Sequence, residues 1–279
     1  MDERISILMC GNAGVRDGLI LSALSIAATT RREVCLYIGT MDLCDIDPSY
    51  IPISEEIREL VEQILREGNG HSRAILFDMG ESFRRELCEG ANMQTRYTPY
   101  AMLRLCADEY PLPEKLLYLD TDVMALGDIG ALYDVDVSDC EFAAVKDRYA
   151  RWFISPRYVN SGVMMWNLGK MRQSKLLPRA RRMCRERRML LCDQTALNRC
   201  VREKKILPRA FNEQGDRRTD TVIQHFSMRI RWLPFRTVNI KPWQPDRLRD
   251  ALGVHYLDGY ISRWERMRDA GYKYIENSD

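Results

Sequence analysis

The run Leu116-Leu117-Tyr118-Leu119 leads straight into Asp120-Thr121-Asp122, and this restricts the chain more than any other feature. An apolar run of this kind makes a buried strand. Two carboxylates cannot follow it into a core, so the strand must end at the rim of a sheet. Side chains alternate along an extended chain, so Asp120 and Asp122 point to the same side. Their like charges repel unless something positive lies between them. A divalent metal is the usual remedy, and a metal held by two carboxylates commonly holds a phosphate as well. An isolated Asp-x-Asp pair also caps turns and helices, so the rest of the chain has to decide.

Strand and helix signals alternate to about residue 205. Short apolar runs at Ile5–Met9, Val34–Ile38, Ala74–Phe77, Leu116–Leu119, Phe142–Val145 and Val163–Trp166 read as strands. Helices are predicted over Asp17–Thr30, from a Ser54 cap to about Glu67, from Thr98-Pro99 to Pro111, over Leu176–Arg188 and over Gln194–Glu203. This order predicts an α/β fold with a parallel sheet covered by helices on both faces. Ligands of such sheets bind beyond the carboxyl ends of the strands, where Asp120 and Asp122 lie. Residues 225–245 read as an aromatic, Arg- and Pro-rich loop. Leu257, Tyr260, Ile261, Trp264 and Met267 have the spacing of a closing amphipathic helix.

With 279 residues, 46% of them hydrophobic, the chain has enough apolar surface for one sizeable core, read as a domain over 1–245 with a helical tail over 246–279. The net charge of +2 argues against bulk nucleic-acid binding. None of the nine cysteines forms a Cys-x-x-Cys pair. Cys184, Cys192 and Cys200 fall eight apart, which suits buried helix positions better than a zinc site. Free thiols, a first strand near Ile5 and no apolar run approaching about 20 residues lead to the expectation of a cytoplasmic protein.

Four segments then follow in order: Leu116–Asp122, Val159-Asn160-Ser161-Gly162-Val163, Cys192-Asp193-Gln194-Thr195, and His225-Phe226 with Lys241-Pro242-Trp243. Together they resemble the retaining glycosyltransferases of family 8, a group that includes bacterial lipopolysaccharide glucosyl- and galactosyltransferases and glycogenin. The resemblance implies a GT-A fold, a single Rossmann-like nucleotide-binding domain with a mixed, mainly parallel sheet. It implies transfer of a hexose, glucose or galactose, from a UDP-sugar to a saccharide or glycolipid acceptor with retention. The cofactor it implies is manganese, with magnesium as the alternative.

Residue by residue, it assigns Asp120, Asp122 and His225 to the metal. Two carboxylates suit a hard cation, and an imidazole shifts preference from magnesium towards manganese. Lys241 matches a lysine on the diphosphate. Thr121, Arg104, Asp147, Asn160 and Gly162 are placed against the donor, and Asp193 and Gln194 beside the transferred sugar. Two departures stand out. Fifteen residues without a glycine separate His225 from Lys241, and Asn12 and Val15 stand where the family often has an Asp-Asp-x-Tyr uridine cradle. Asn12 still offers an acceptor to a uracil edge.

Lys170–Arg188 carries nine basic residues and one acidic one, which fits a solvated helix face, or contact with anionic lipid or an acidic glycolipid acceptor. A non-catalytic nucleotide-sugar-binding protein of the same fold is the alternative function.

Overall fold

The computed structural model describes residues 4–93, 99–232 and 235–276. Its strands are β1 (Ile5–Cys10), β2 (Val34–Thr40), β3 (Arg73–Asp78), β4 (Lys115–Leu119), β5 (Val123–Ala125), β6 (Phe142–Lys146), β7 (Val159–Asn167), β8 (Lys204–Leu207), β9 (Ile223–His225), β10 (Arg229–Trp232) and β11 (Phe235–Val238). Seven of them form one sheet in the order β3-β2-β1-β4-β7-β6-β8. Only β7 runs against its neighbours there, so the sheet is mixed but mainly parallel, as expected.

The alternation within each strand builds two cores. Ile5, Ile7, Leu36, Ile38, Leu117 and Leu119 face one cluster, which takes in the helices Arg16–Thr29 and Glu55–Gly68. Leu8, Cys35, Tyr37, Leu116 and Tyr118 face the other, under the helices Leu176–Glu186 and Cys192–Cys200. Strands covered on both faces read as unbroken apolar runs, which is why β1, β2 and β4 stand out in the sequence.

Several boundaries differ from expectation. Ser54 sits at the start of its helix in extended geometry, but its side chain makes no capping bond. Thr98 lies outside the described residues. The helix predicted over Gln194–Glu203 spans Cys192–Cys200 instead, and the backbone beyond it turns extended at Val201. There Glu141 accepts hydrogen bonds from the Arg202 and Glu203 N–H groups, and Lys204–Leu207 pairs with β6 as an edge strand.

The stretch read as a loop over 225–245 holds the end of β9 and the hairpin β10–β11, and the helix Pro245–Leu252 begins in it. These segments are too short for periodicity to show. Pairing across the hairpin, Arg229 with Val238, satisfies their backbone groups.

The basic stretch is not simply a solvated face. Arg181 is buried and ion-paired with Asp108 and Glu109, while Arg185 pairs with Glu86. All nine cysteines are free, and Cys184 and Cys192 sit with sulfurs 3.6 Å apart in the second core. Among the described residues, no helix is long and apolar enough to cross a membrane.

The closing helix, Asp258–Asp269, buries Ile261, Trp264 and Met267 in the first core. Trp264 Nε1 donates to Asp17 Oδ1 at 3.0 Å, and Arg263 pairs with Glu67, so the tail is fastened to both helices of that layer. Trp264 is 2% exposed. Trp264→Ala should lower the unfolding free energy by about 3–5 kcal/mol, measured by urea denaturation. A loss under about 1 kcal/mol would mean the tail contributes little to the core.

Candidate active site

Strand pairing delivers the acidic pair and its partners to one edge. Beyond the end of β4, the Asp120 N–H donates to Gly162 O at 2.7 Å, so antiparallel β7 lays Asn160-Ser161-Gly162 beside Asp120. After Asp122 the chain enters β5, which pairs with β9 so that Val123 lies opposite His225. The histidine expected from a C-terminal loop therefore comes from a short strand, in a register that sets it against Asp122. His225 Nε2 is 3.1 Å from Asp122 Oδ1 and 3.8 Å from Asp120 Oδ2.

A chain of hydrogen bonds fixes the imidazole tautomer. The Gly162 N–H donates to Asn160 Oδ1 at 3.0 Å, which settles which end of that amide is oxygen. Asn212 Nδ2 donates to the same oxygen at 2.9 Å, so Asn212 Oδ1 turns to His225 Nδ1, 3.1 Å away. Nδ1 then carries the proton, and the Nε2 lone pair faces two carboxylates. Lone pairs in that arrangement repel unless a proton or a cation lies between them. Asp120, Asp122 and His225 offer ligand atoms all within 4.8 Å of one another, a donor set of two oxygens and one nitrogen that fits a divalent metal.

Gly162 is needed for this approach, since a Cβ there would lie 2.2 Å from His225 Cε1 and 2.7 Å from Asp120 Oδ2.

Two cations support the carboxylates. Lys241 Nζ donates to Asp122 Oδ2 and, at 3.0 Å, to Phe226 O. Burial alone would raise the Asp122 carboxyl, but the Lys241 ammonium holds it well below the usual carboxylate range. Trp243, two residues further on, lines the same cleft, and its ring packs so tightly on Gly18 that a Cβ there would lie 2.4 Å from it.

Arg104 is buried and donates to Asp120 Oδ1 at 2.7 Å and to Ser161 O at 2.6 Å, with Nε 3.3 Å from Asp193 Oδ2. Its guanidinium stacks 4.1 Å from the centre of the Tyr118 ring, whose hydroxyl also donates to Asp120 Oδ1. Burial works against the Arg104 charge, yet Asp120, Tyr118 and Asp193 keep it firmly protonated. Arg104 also lines the cleft that holds Asp120, Asp122 and Lys241.

A second network surrounds Gln194. Its Oε1 accepts from the Ser161 N–H at 3.0 Å, and its Nε2 donates to Asp147 Oδ2 at 3.2 Å. Asp147 also accepts from Asn160 Nδ2 and from the Tyr149 and Ala150 N–H groups. Burial pushes the Asp193 carboxyl up, although Arg104 pulls it down. Asn12 and Thr121 line a cleft of about 240 Å³ shared with Val15, Lys241, Trp243 and the aspartate pair.

Every site residue read from the sequence thus gathers at the carboxyl edge of β1, β4 and β6 or on the elements facing it. Asn212 and Tyr118 went unread. Tyr118 lies two residues before Asp120 on the same face of its strand, so alternation could have found it. Nothing in the local sequence marks Asn212.

Comparison with known proteins agrees with this geometry. The glycosyl transferase family 8 profile matches residues 7–246. A glycogenin from Komagataella phaffii is 45% identical over 53 residues, which are 19% of this chain and 12% of the glycogenin. The crystal structure of galactosyltransferase LgtC, in complex with donor and acceptor sugar analogs, superposes with a TM-score of 0.64 at 20% identity, covering 98% of each chain. Glycosyltransferase GlyE of Streptococcus pneumoniae TIGR4 gives 0.61 at 15% identity, covering 99% of this chain and 66% of GlyE. The chain belongs to glycosyl transferase family 8 and has the GT-A fold.

The hydrogen-bond chain from Gly162 through Asn212 to His225 makes a direct prediction. Asn212→Leu should weaken Mn²⁺ binding about 10–100-fold, read by electron paramagnetic resonance of free Mn²⁺ during titration. Unchanged affinity would show that the tautomer is set some other way.

Proposed function

We propose that this family 8 glycosyltransferase moves a hexose, glucose or galactose, from a UDP-sugar to a saccharide or glycolipid acceptor with retention, using manganese held by Asp120, Asp122 and His225. The observation that carries the reading is the His225 Nε2 lone pair aimed at two carboxylates with Lys241 beside them. When bound, the cation would neutralise charge on the nucleoside diphosphate as it departs. Imidazole in the donor set favours manganese over magnesium.

The chain's own groups divide the remaining work. Lys241 is a point charge for the diphosphate. Asn12 lies in the same cleft, where its side-chain oxygen is available to a uracil edge. Asn160, Asp147 and Asp193 surround the position read as the sugar's.

Retention by double displacement needs a free nucleophile on the far face of the sugar. Gln194 is poorly suited, because an amide oxygen is weakly basic and this one already accepts from the Ser161 N–H. Asp193 is held by Arg104, and Asp147 accepts hydrogen bonds from two backbone and two side-chain donors. These engagements favour front-face attack. In that route the acceptor hydroxyl forms the new bond to C1 on the side the diphosphate leaves, and its proton passes to the departing phosphate oxygen.

A thermal-shift screen tests the donor. UDP-glucose or UDP-galactose at about a hundredfold excess over Kd should raise Tm by about 5 °C or more when Mn²⁺ is present. Shifts of equal size without metal, or with GDP- and ADP-sugars, would contradict the reading. Asp120→Asn tests the metal role through transfer itself. A loss of at least about 100-fold in kcat/KM is expected, whereas activity within a few-fold of the parent would remove Asp120 from the site.

A further inference from the structure

A second cleft, about 580 Å³, opens beside the sugar end of the site. Its lining includes Arg148, Arg151, Trp152, Phe153, Arg209 and Glu213. It is joined to the reaction centre by residues already described. Asn212, which orients His225, lines it. The short helix Ala150–Phe153 that forms one wall starts from Asp147, which accepts from the Ala150 N–H at 2.7 Å and from Gln194 Nε2 at 3.2 Å. The cleft thus shares Asn212 and the Asp147-capped helix with the groups around His225 and Gln194.

The chemistry of the lining is distinctive. Trp152 and Phe153 are 74% and 71% exposed, a large apolar area for a four-residue helix to present. Flat rings of this kind suit the apolar face of a pyranose. Arg148 and Arg151 have no carboxylate partner among the described residues. Arg151 stacks on Trp152 at 5.0 Å, and Arg148 Nη1 donates only to the Gln214 carbonyl.

The Arg148 and Arg209 guanidinium groups converge on Gly215, where a Cβ would lie 2.4 Å from one and 2.9 Å from the other. Glu213 answers only one of these charges, through its Oε1 contact with Arg209 at 2.6 Å. Its Oε2 is buried and has no hydrogen-bond partner among the described residues.

We propose that this cleft is the acceptor subsite and that it takes a saccharide carrying an anionic group, a carboxylate or a phosphate. The proposal rests on the glycosyltransfer reading above and names its substrate class. Arg148 and Arg151 grip the anion, and Trp152 and Phe153 hold the sugar ring.

The test is calorimetric titration of the full chain, with UDP and Mn²⁺ present. The probes are a galacturonic acid trisaccharide, mannose 6-phosphate and neutral maltotriose. At least one acidic probe should bind about tenfold or more tighter than maltotriose, and the stronger of the two identifies the anion. Arg148→Gln/Arg151→Gln should erase that preference, whereas Arg151→Lys, which keeps the charge, should retain much of it. Trp152→Ala, on an exposed side chain, should weaken all three probes.

Equal affinity for acidic and neutral saccharides would overturn the proposal, as would an acidic preference that survives the double substitution. It would also fall if the protein ignored the saccharides but bound phosphatidylglycerol vesicles through Trp152, which would make this corner a membrane contact. UDP that binds while acidic saccharides do not defeats this inference alone. UDP that fails to bind defeats the reading beneath it as well.

Discussion

The site depends on an unfavourable contact held in place by the fold. His225 presents a lone pair, and Asp120 and Asp122 present anionic oxygens, across gaps of 3.8 and 3.1 Å. Nothing in that triad alone attracts. It persists because each member is pinned from behind, Asp120 by Arg104 and Tyr118, Asp122 by Lys241, and His225 by Asn212. Such pre-organisation is what a cation site needs, because the cost of gathering like charges has been met in folding. Deleting Lys241 would leave the buried Asp122 charge without its ammonium partner, which is more costly than losing the pair outright.

The scaffold explains how distant segments reach this point. The antiparallel turn of β7 brings Asn160–Gly162 to the end of β4, and the three-residue pairing of β5 with β9 brings His225 to Asp122. At Gly162 and Gly18 the absence of a side chain serves the aspartate pair's surroundings directly. The first admits the imidazole, and the second admits the Trp243 ring and the Thr121 carbonyl beside the aspartate pair. A methyl group at either would push apart groups that act together, so both glycines serve the site although neither has any chemistry of its own.

Much of this was legible in the sequence where burial is two-sided or where charge interrupts an apolar run. β1, β2 and β4 announce themselves because helices cover both their faces, and Asp120 and Asp122 because carboxylates cannot enter a core. What stayed hidden was short or purely spatial. β5 and β9 have three residues each, and the hairpin β10–β11 has four in each arm, below the length at which periodicity separates strand from loop. Asn212 acts only through partners 13 and 52 positions away, so no local pattern marks it. Arg181 shows the converse. On a basic helix it reads as solvent-facing, but it is buried against Asp108, which lies elsewhere in the chain.

The most direct test of the central claim is pulsed electron–nuclear double resonance on the protein loaded with Mn²⁺ and UDP. A single histidine ¹⁴N coupling that disappears in His225→Gln, together with ³¹P couplings from the diphosphate, is the predicted spectrum. Bound Mn²⁺ with no nitrogen coupling, or with one that survives His225→Gln, would contradict the account.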